Sequence, residues 1–152
     1  MFLEDGDFTK AVDYLKDRIA RGHGSMFDWP VRGPLITQFG QRVHPVFKTK
    51  IRHSGIDISA PRGTPVRIAA PGEVLFEGWM RGYGQVVIID HGHNFSTVYV
   101  HLSYTRVKEG EVVGAGTIIG AIGDTETTNG YHLHFEVREG NTAKNPLDYL
   151  KR

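Results

Sequence analysis

Two periodicities divide the chain. Over residues 7–22, "DFTKAVDYLKDRIARG", Phe8, Ala11, Val12, Leu15 and Ile19 recur at helical spacing and form one apolar stripe. The pattern predicts a short amphipathic helix with Asp7 as N-cap and Gly22 as stop, its stripe packed on the domain, a partner or a neighbouring segment. A linker runs on to Trp29-Pro30. Beyond it the period shortens to two: "EVLFEGW" (73–79), "QVVIID" (85–90), "STVYVHL" (96–102), "TIIGAIG" (117–123) and "HLHFEV" (132–137) are β-rich segments separated by glycine turns. Only "NPLDYLKR" (145–152) hints at a second helical stretch. The expected organisation is an N-terminal helix and linker over 1–28, then a mainly β domain over 29–152, an antiparallel sandwich or barrel.

Size and composition narrow the function classes. The 152 residues suffice for one domain with a real core, and 39% hydrophobic with 23% charged residues is ordinary for a soluble globular chain. The net charge of +1, with both signs interspersed, leaves no basic footprint for nucleic acid. No apolar run is long enough to span a membrane, and Met1 is not followed by the apolar segment of a signal peptide. Cysteine is absent, which removes disulfides, thiolate ligands and a cysteine nucleophile together.

Chemistry concentrates in the eight histidines. In "GYHLHFEV" (130–137), strand alternation sets His132 and His134 side by side, while Leu133, Phe135 and Val137 face the other way, towards a core. Two imidazoles on one face are costly to bury without partners. In "RHSGIDISAP" (52–61), His53 precedes Asp57 by four residues. Gly55 and the β-branched Ile56 and Ile58 argue for loop into strand, so this pair has to converge through a backbone bend. His101 lies near the end of an apolar strand in "YVHLS" (99–103). Imidazole and carboxylate are the donors that zinc takes in a cysteine-free protein, and three of them with a fourth position open is the arrangement of a catalytic site.

"HSGID", "VHLS" and "HLHFEV", in that order along a β-rich chain, resemble the M23 (LytM or lysostaphin-type) zinc metallopeptidases. The resemblance extends from about Trp29 to the C-terminus and takes in "GYGQVVIIDHG" and the closing "NPLDYL". It implies the lysostaphin-type β fold, an extracytoplasmic location, one Zn2+ per chain and hydrolysis of peptide bonds in peptidoglycan stem or cross-bridge peptides. Carried over by position, His53, Asp57 and His134 hold the zinc. His101 and His132 then stand beside the metal as catalytic groups, one as general base and the other as oxyanion stabiliser, in either assignment.

Around this centre, Arg42 and His44 in "QRVHPVF" fall in a loop suited to contact substrate. His91 and His93 in "DHGHN" flank a glycine and read as turn residues, and Trp79, Tyr83 and Tyr104 as packing residues or as aromatics at the rim of a peptide groove. Tyr131 stands where many members of the family carry proline, and Asp124 and Glu126 add acid to the preceding loop, so cleavage specificity is open. Two other readings compete: a non-catalytic member of the same fold that binds peptidoglycan or activates a hydrolase, and a biotinyl or lipoyl carrier barrel. The glycine-turn segment "VKEGEVVGAGTIIGAIG" resembles carrier hairpins, but "GAIGDTETTNG" contains no acceptor lysine.

Overall fold

A computed structural model describes residues 26–43, 50–123 and 130–151, with side chains described except at 41–43 and 50–52. The expected helix over 7–22, His44, the side chain of Arg42, and Asp124 and Glu126 lie outside the described residues. The rest is almost wholly antiparallel β, as the period-two segments predict. The strands are β1 (Leu35–Thr37), β2 (Gly40–Val43), β3 (Lys50–His53), β4 (Ile56–Ser59), β5 (Pro65–Arg67), β6 (Gly72–Met80), β7 (Gly84–Gly92), β8 (Phe95–Thr105), β9 (Val112–Val113), β10 (Ile118–Ile122), β11 (His132–Glu139) and β12 (Thr142–Lys144). Pro146–Asp148 form a 3-10 turn, capped by the Asn145 side chain accepting from the Leu147 N–H.

Ten strands make one open sheet with the main order β1-β4-β11-β8-β7-β6-β9, and β2 and β3 form a separate hairpin. Strand β8 governs the shape. On one side it pairs with β7 from Phe95 to Leu102, and on the other with β11 as far as Val100 and then with β10 from Leu102. At this changeover β8 advances three residues, Tyr99 to Leu102, while β7 advances two, Val87 to Gln85. The extra residue makes a β-bulge, and His101 takes it up with φ of 72°. Tyr99 and Leu102 are therefore both fully buried on the core face although they stand three apart.

The core lies on one face of the sheet. Ile56, Ile58, Ile89, Tyr99, Leu102, Leu133 and Phe135 are inaccessible to solvent there, and each aliphatic or aromatic side chain so buried stabilises the fold by roughly 1.5–3 kcal/mol. Gly55, between β3 and β4, packs directly against this strand system: a Cβ on it would collide with the Phe135 carbonyl oxygen. Thr97, Tyr99 and His91 bury polar atoms in the same layer, and all are satisfied. The Ala69 N–H donates to the Tyr99 hydroxyl at 2.9 Å, and that hydroxyl lies 2.8 Å from Thr97 Oγ1. Thr97 Oγ1 lies 2.7 Å from His91 Nε2, and His91 Nδ1–H donates to the Pro71 carbonyl at 2.8 Å. His91 is thus a core residue at the end of β7, whereas His93 and Asn94, at φ of 51° and 70°, form the β7–β8 turn.

The first and last described segments meet. Phe27 forms a parallel bridge with Leu150, with Phe27 N–H donating to Tyr149 O and Lys151 N–H to Phe27 O, both at 2.9 Å. Trp29 Nε1–H donates to the Lys151 carbonyl at 2.6 Å. No helix among the described residues is long and apolar enough to cross a membrane.

Candidate metal centre

Sheet register brings the candidate ligands together. Asp57 on β4 is directly opposite His134 on β11, and His134 is opposite Val100 on β8. Residues opposite one another share a face, so the face away from the core carries Asp57, His134 and Val100 in one row. His53 ends β3, and Ser54-Gly55 turn the chain into β4, the bend required for an H-x-x-x-D pair outside a helix. As a result His53 Nε2 lies 3.1 Å from Asp57 Oδ2, and His134 Nδ1 lies 2.8 Å from Asp57 Oδ1. The rings of His53 and His134 meet edge to face with centroids 4.9 Å apart. One donor atom from each of His53, Asp57 and His134 lies within 4.8 Å of the others, and among the described residues this is the one such group of histidine and carboxylate side chains.

The electrostatics match a cation site. Burial by itself would raise Asp57, but the hydrogen bond from His134 and the surrounding imidazoles outweigh it and hold the carboxyl at about 2. Burial would lower His134, yet its bonds to Asp57 and Glu136 lift it to about 9. Two carboxylates converging on one buried ring demand positive charge between them, supplied here by a proton and replaceable by a metal ion. His53 Nε2 is buried and accepts no hydrogen bond. Such a nitrogen, next to a carboxylate oxygen and a second imidazole, gives an N, N, O donor set that fits zinc.

His101 and His132 flank this group. Their rings are edge to face with centroids 5.0 Å apart, and His132 Nε2 lies 3.8 Å from Asp57 Oδ1. His132 Nδ1 is 2.9 Å from the Gly130 carbonyl, which can only accept, so Nδ1 carries the proton and Nε2 faces the site. The bulge in β8 explains His101: uninterrupted alternation would turn it towards the core beside Tyr99.

Three residues not singled out from the sequence complete the centre. Glu136, 5% exposed, takes His134 Nε2–H at 2.8 Å and the Ser54 hydroxyl at 2.7 Å on Oε2. On Oε1 it receives Arg138 Nε and Nη2 at 2.7 and 2.6 Å. Burial would raise its carboxyl, but these bonds hold it at about 2. The period-two rule that paired His132 with His134 applies equally to Glu136 and Arg138 and is the signal that could have found them.

Beside the centre, on the same face, Val86, Ile88, Val98 and Val100 floor a groove of about 450 Å³, with Met80 and Tyr83 also lining it. Tyr83, Trp79 and Tyr104 are about half exposed (49%, 55% and 49%), which removes the packing reading of the two given for them. Of the three, Tyr83 lines the open groove. Tyr131 is exposed next to His132.

Comparisons with known proteins agree with this geometry. Peptidase family M23 matches residues 51–146. The chain is 45% identical over 113 residues to the DD-carboxypeptidase/endopeptidase Mpg of Neisseria meningitidis serogroup B, over 74% of this chain and 26% of that protein. It is 34% identical over 124 residues to the murein hydrolase activator EnvC of Escherichia coli K12, over 82% of this chain and 29% of that protein. The chain therefore spans less than a third of either curated relative. Its fold matches a zinc-containing peptidase from Vibrio cholerae with a TM-score of 0.73 at 32% identity, over 78% of this chain and 38% of that one. With the family's motifs spread over β3 to β11 and the match running through all of them, the chain belongs to peptidase family M23.

Proposed function

We propose that this chain is a zinc-dependent endopeptidase that hydrolyses peptide bonds in peptidoglycan stem or cross-bridge peptides, outside the cytoplasm. The observation that carries the reading is the convergence of His53, Asp57 and His134 on one face, with His101 and His132 beside them and an open groove alongside. His53 Nε2, an Asp57 oxygen and His134 Nδ1 are the ligands. A zinc ion held there supplies Lewis acidity to the scissile carbonyl and lowers the pKa of water to about 7. His132, its tautomer set by the Gly130 carbonyl, presents Nε2 to take a proton from the attacking water and return it to the leaving amine. His101 donates to the oxyanion that develops as the carbonyl is attacked. The groove floor excludes water from one side of the bound peptide, and Arg42 and His44 are assigned as further substrate contacts.

Activation of another hydrolase is the second reading, favoured by the likeness to EnvC. Zinc per chain in protein purified without a metal-affinity step, followed by digestion of purified peptidoglycan with mass-spectrometric readout, separates the two. One equivalent of zinc and new peptide ends support the peptidase. Zinc with no new ends on any peptidoglycan supports the activator.

A further inference from the structure

The structure assigns Glu136 a positioning role: it fixes the ring and tautomer of His134, so that Nδ1 is the nitrogen offered to a metal. The assignment rests on the ligand set proposed above and concerns affinity for the ion, whatever the bound ion then does. Three facts support it. Glu136 Oε2 is 2.8 Å from His134 Nε2, and a carboxylate can only accept, so Nε2 keeps its proton when a metal ion takes the place of the proton that Nδ1 shares with Asp57. The carboxylate is itself immobilised, by Ser54 on the same oxygen and by the two-pronged Arg138 contact on the other. It is buried, so water does not compete for these bonds. Ser54 lies next to His53 in the chain, so the anchor of Glu136 is tied to the turn that presents the first ligand.

The isosteric variant Glu136→Gln tests this without opening a cavity. Arg138 can only donate, so it draws the amide oxygen of the new side chain and turns its NH2 towards His134 Nε2. That nitrogen then has to accept, and the proton moves to Nδ1, where it blocks the metal. Zinc affinity, measured by competition with a chromophoric chelator, is expected to fall by about 10- to 100-fold. The visible absorption spectrum of the Co2+-loaded protein is expected to shift, which a merely structural role would not cause. Glu77→Gln, at a carboxylate that accepts from Thr105 Oγ1, is the control and is expected to retain both properties. A folded Glu136→Gln protein with zinc affinity within twofold of wild type and an unchanged cobalt spectrum overturns the assignment. Should that variant not fold, Ser54→Ala decides, because it removes one restraint on the same oxygen: a several-fold loss of zinc affinity supports the role and no loss overturns it. Wild-type protein that takes up no zinc sinks this assignment and the proposed function together. Wild-type protein that binds zinc but cleaves nothing sinks only the peptidase reading, and the affinity ratio still judges Glu136.

Discussion

His101 and His132 face each other edge to face at 5.0 Å because one extra residue in β8 turns His101 out of the core layer. That placement stores backbone strain, since a non-glycine residue at φ of 72° is disfavoured.

The strain predicts an inversion of the usual order of substitutions. His101→Gly is expected to be more stable than His101→Ala by about 1 kcal/mol, because glycine adopts the left-handed conformation without penalty. Both variants are expected to lose peptide cleavage. Equal chemical-denaturation midpoints for the two would show that the bulge does not confine this residue.

Removal of a ligand and removal of its neighbour are expected to separate metal content from turnover. His134→Ala should lower zinc affinity sharply and leave Asp57 without its buried partner. A full equivalent of tightly held zinc in that variant, by elemental analysis after dialysis, would refute the ligand assignment.

His132→Ala is expected to retain zinc and to lose turnover by about 100-fold or more. If the same protein proved metal-free, the roles of the two strand histidines would have to be exchanged. Chelation of wild-type protein should abolish cleavage, and added zinc should restore it.

Stability is expected to fall on mild acidification through a residue away from the centre. Burial holds His91 at about 4, partly opposed by its bond to Pro71, against 6.5 in an unfolded chain. Below pH 6.5 the unfolded chain therefore takes up a proton at this residue that the folded chain refuses. Stability is lost progressively from pH 6.5 down to about 4, at ~1.4 kcal/mol per pH unit and about 3 kcal/mol in all. In metal-free protein His134, held at about 9, adds a slope of opposite sign near pH 6.5, so the difference between wild type and His91→Gln in urea unfolding from pH 6.5 to 5 isolates the His91 contribution. In His91→Gln the slope should flatten, and an unchanged slope would assign the acid sensitivity elsewhere.

A steric prediction concerns Gly55. Gly55→Ala is expected to destabilise the fold by about 1–3 kcal/mol, because the new methyl group meets the Phe135 carbonyl. It should also weaken zinc binding, since relief of the collision separates β4, which carries Asp57, from β11, which carries His134. A variant with wild-type zinc affinity would show that the two strands yield elsewhere.

Much of this arrangement was legible in the sequence, for identifiable reasons. Strand alternation is a local rule, so Leu133 and Phe135 could be assigned to the core and the two histidines between them to the other face. The bend between His53 and Asp57 could be read from Gly55 and the isoleucines that follow. Alternation failed at His101, where an extra residue in β8 shifts its register against β7, a tertiary event with no signal in the pentapeptide around it. It was available but not carried far enough at Glu136, two residues past His134. The exposure of Trp79, Tyr83 and Tyr104 depended on which sheet face remained uncovered, which composition cannot reveal.

The bridge between Phe27 and Leu150 has a different kind of consequence. Where two segments as far apart in the chain as Phe27 and Leu150 lie in hydrogen-bonding contact, the path between them is topologically close to a ring. Such a unit can be spliced into a longer polypeptide at a single point without stretching a strand, and it can be cut and rejoined. A circular permutant of the chain that links its two termini and opens at the His93-Asn94 turn should preserve every strand pairing around the histidines.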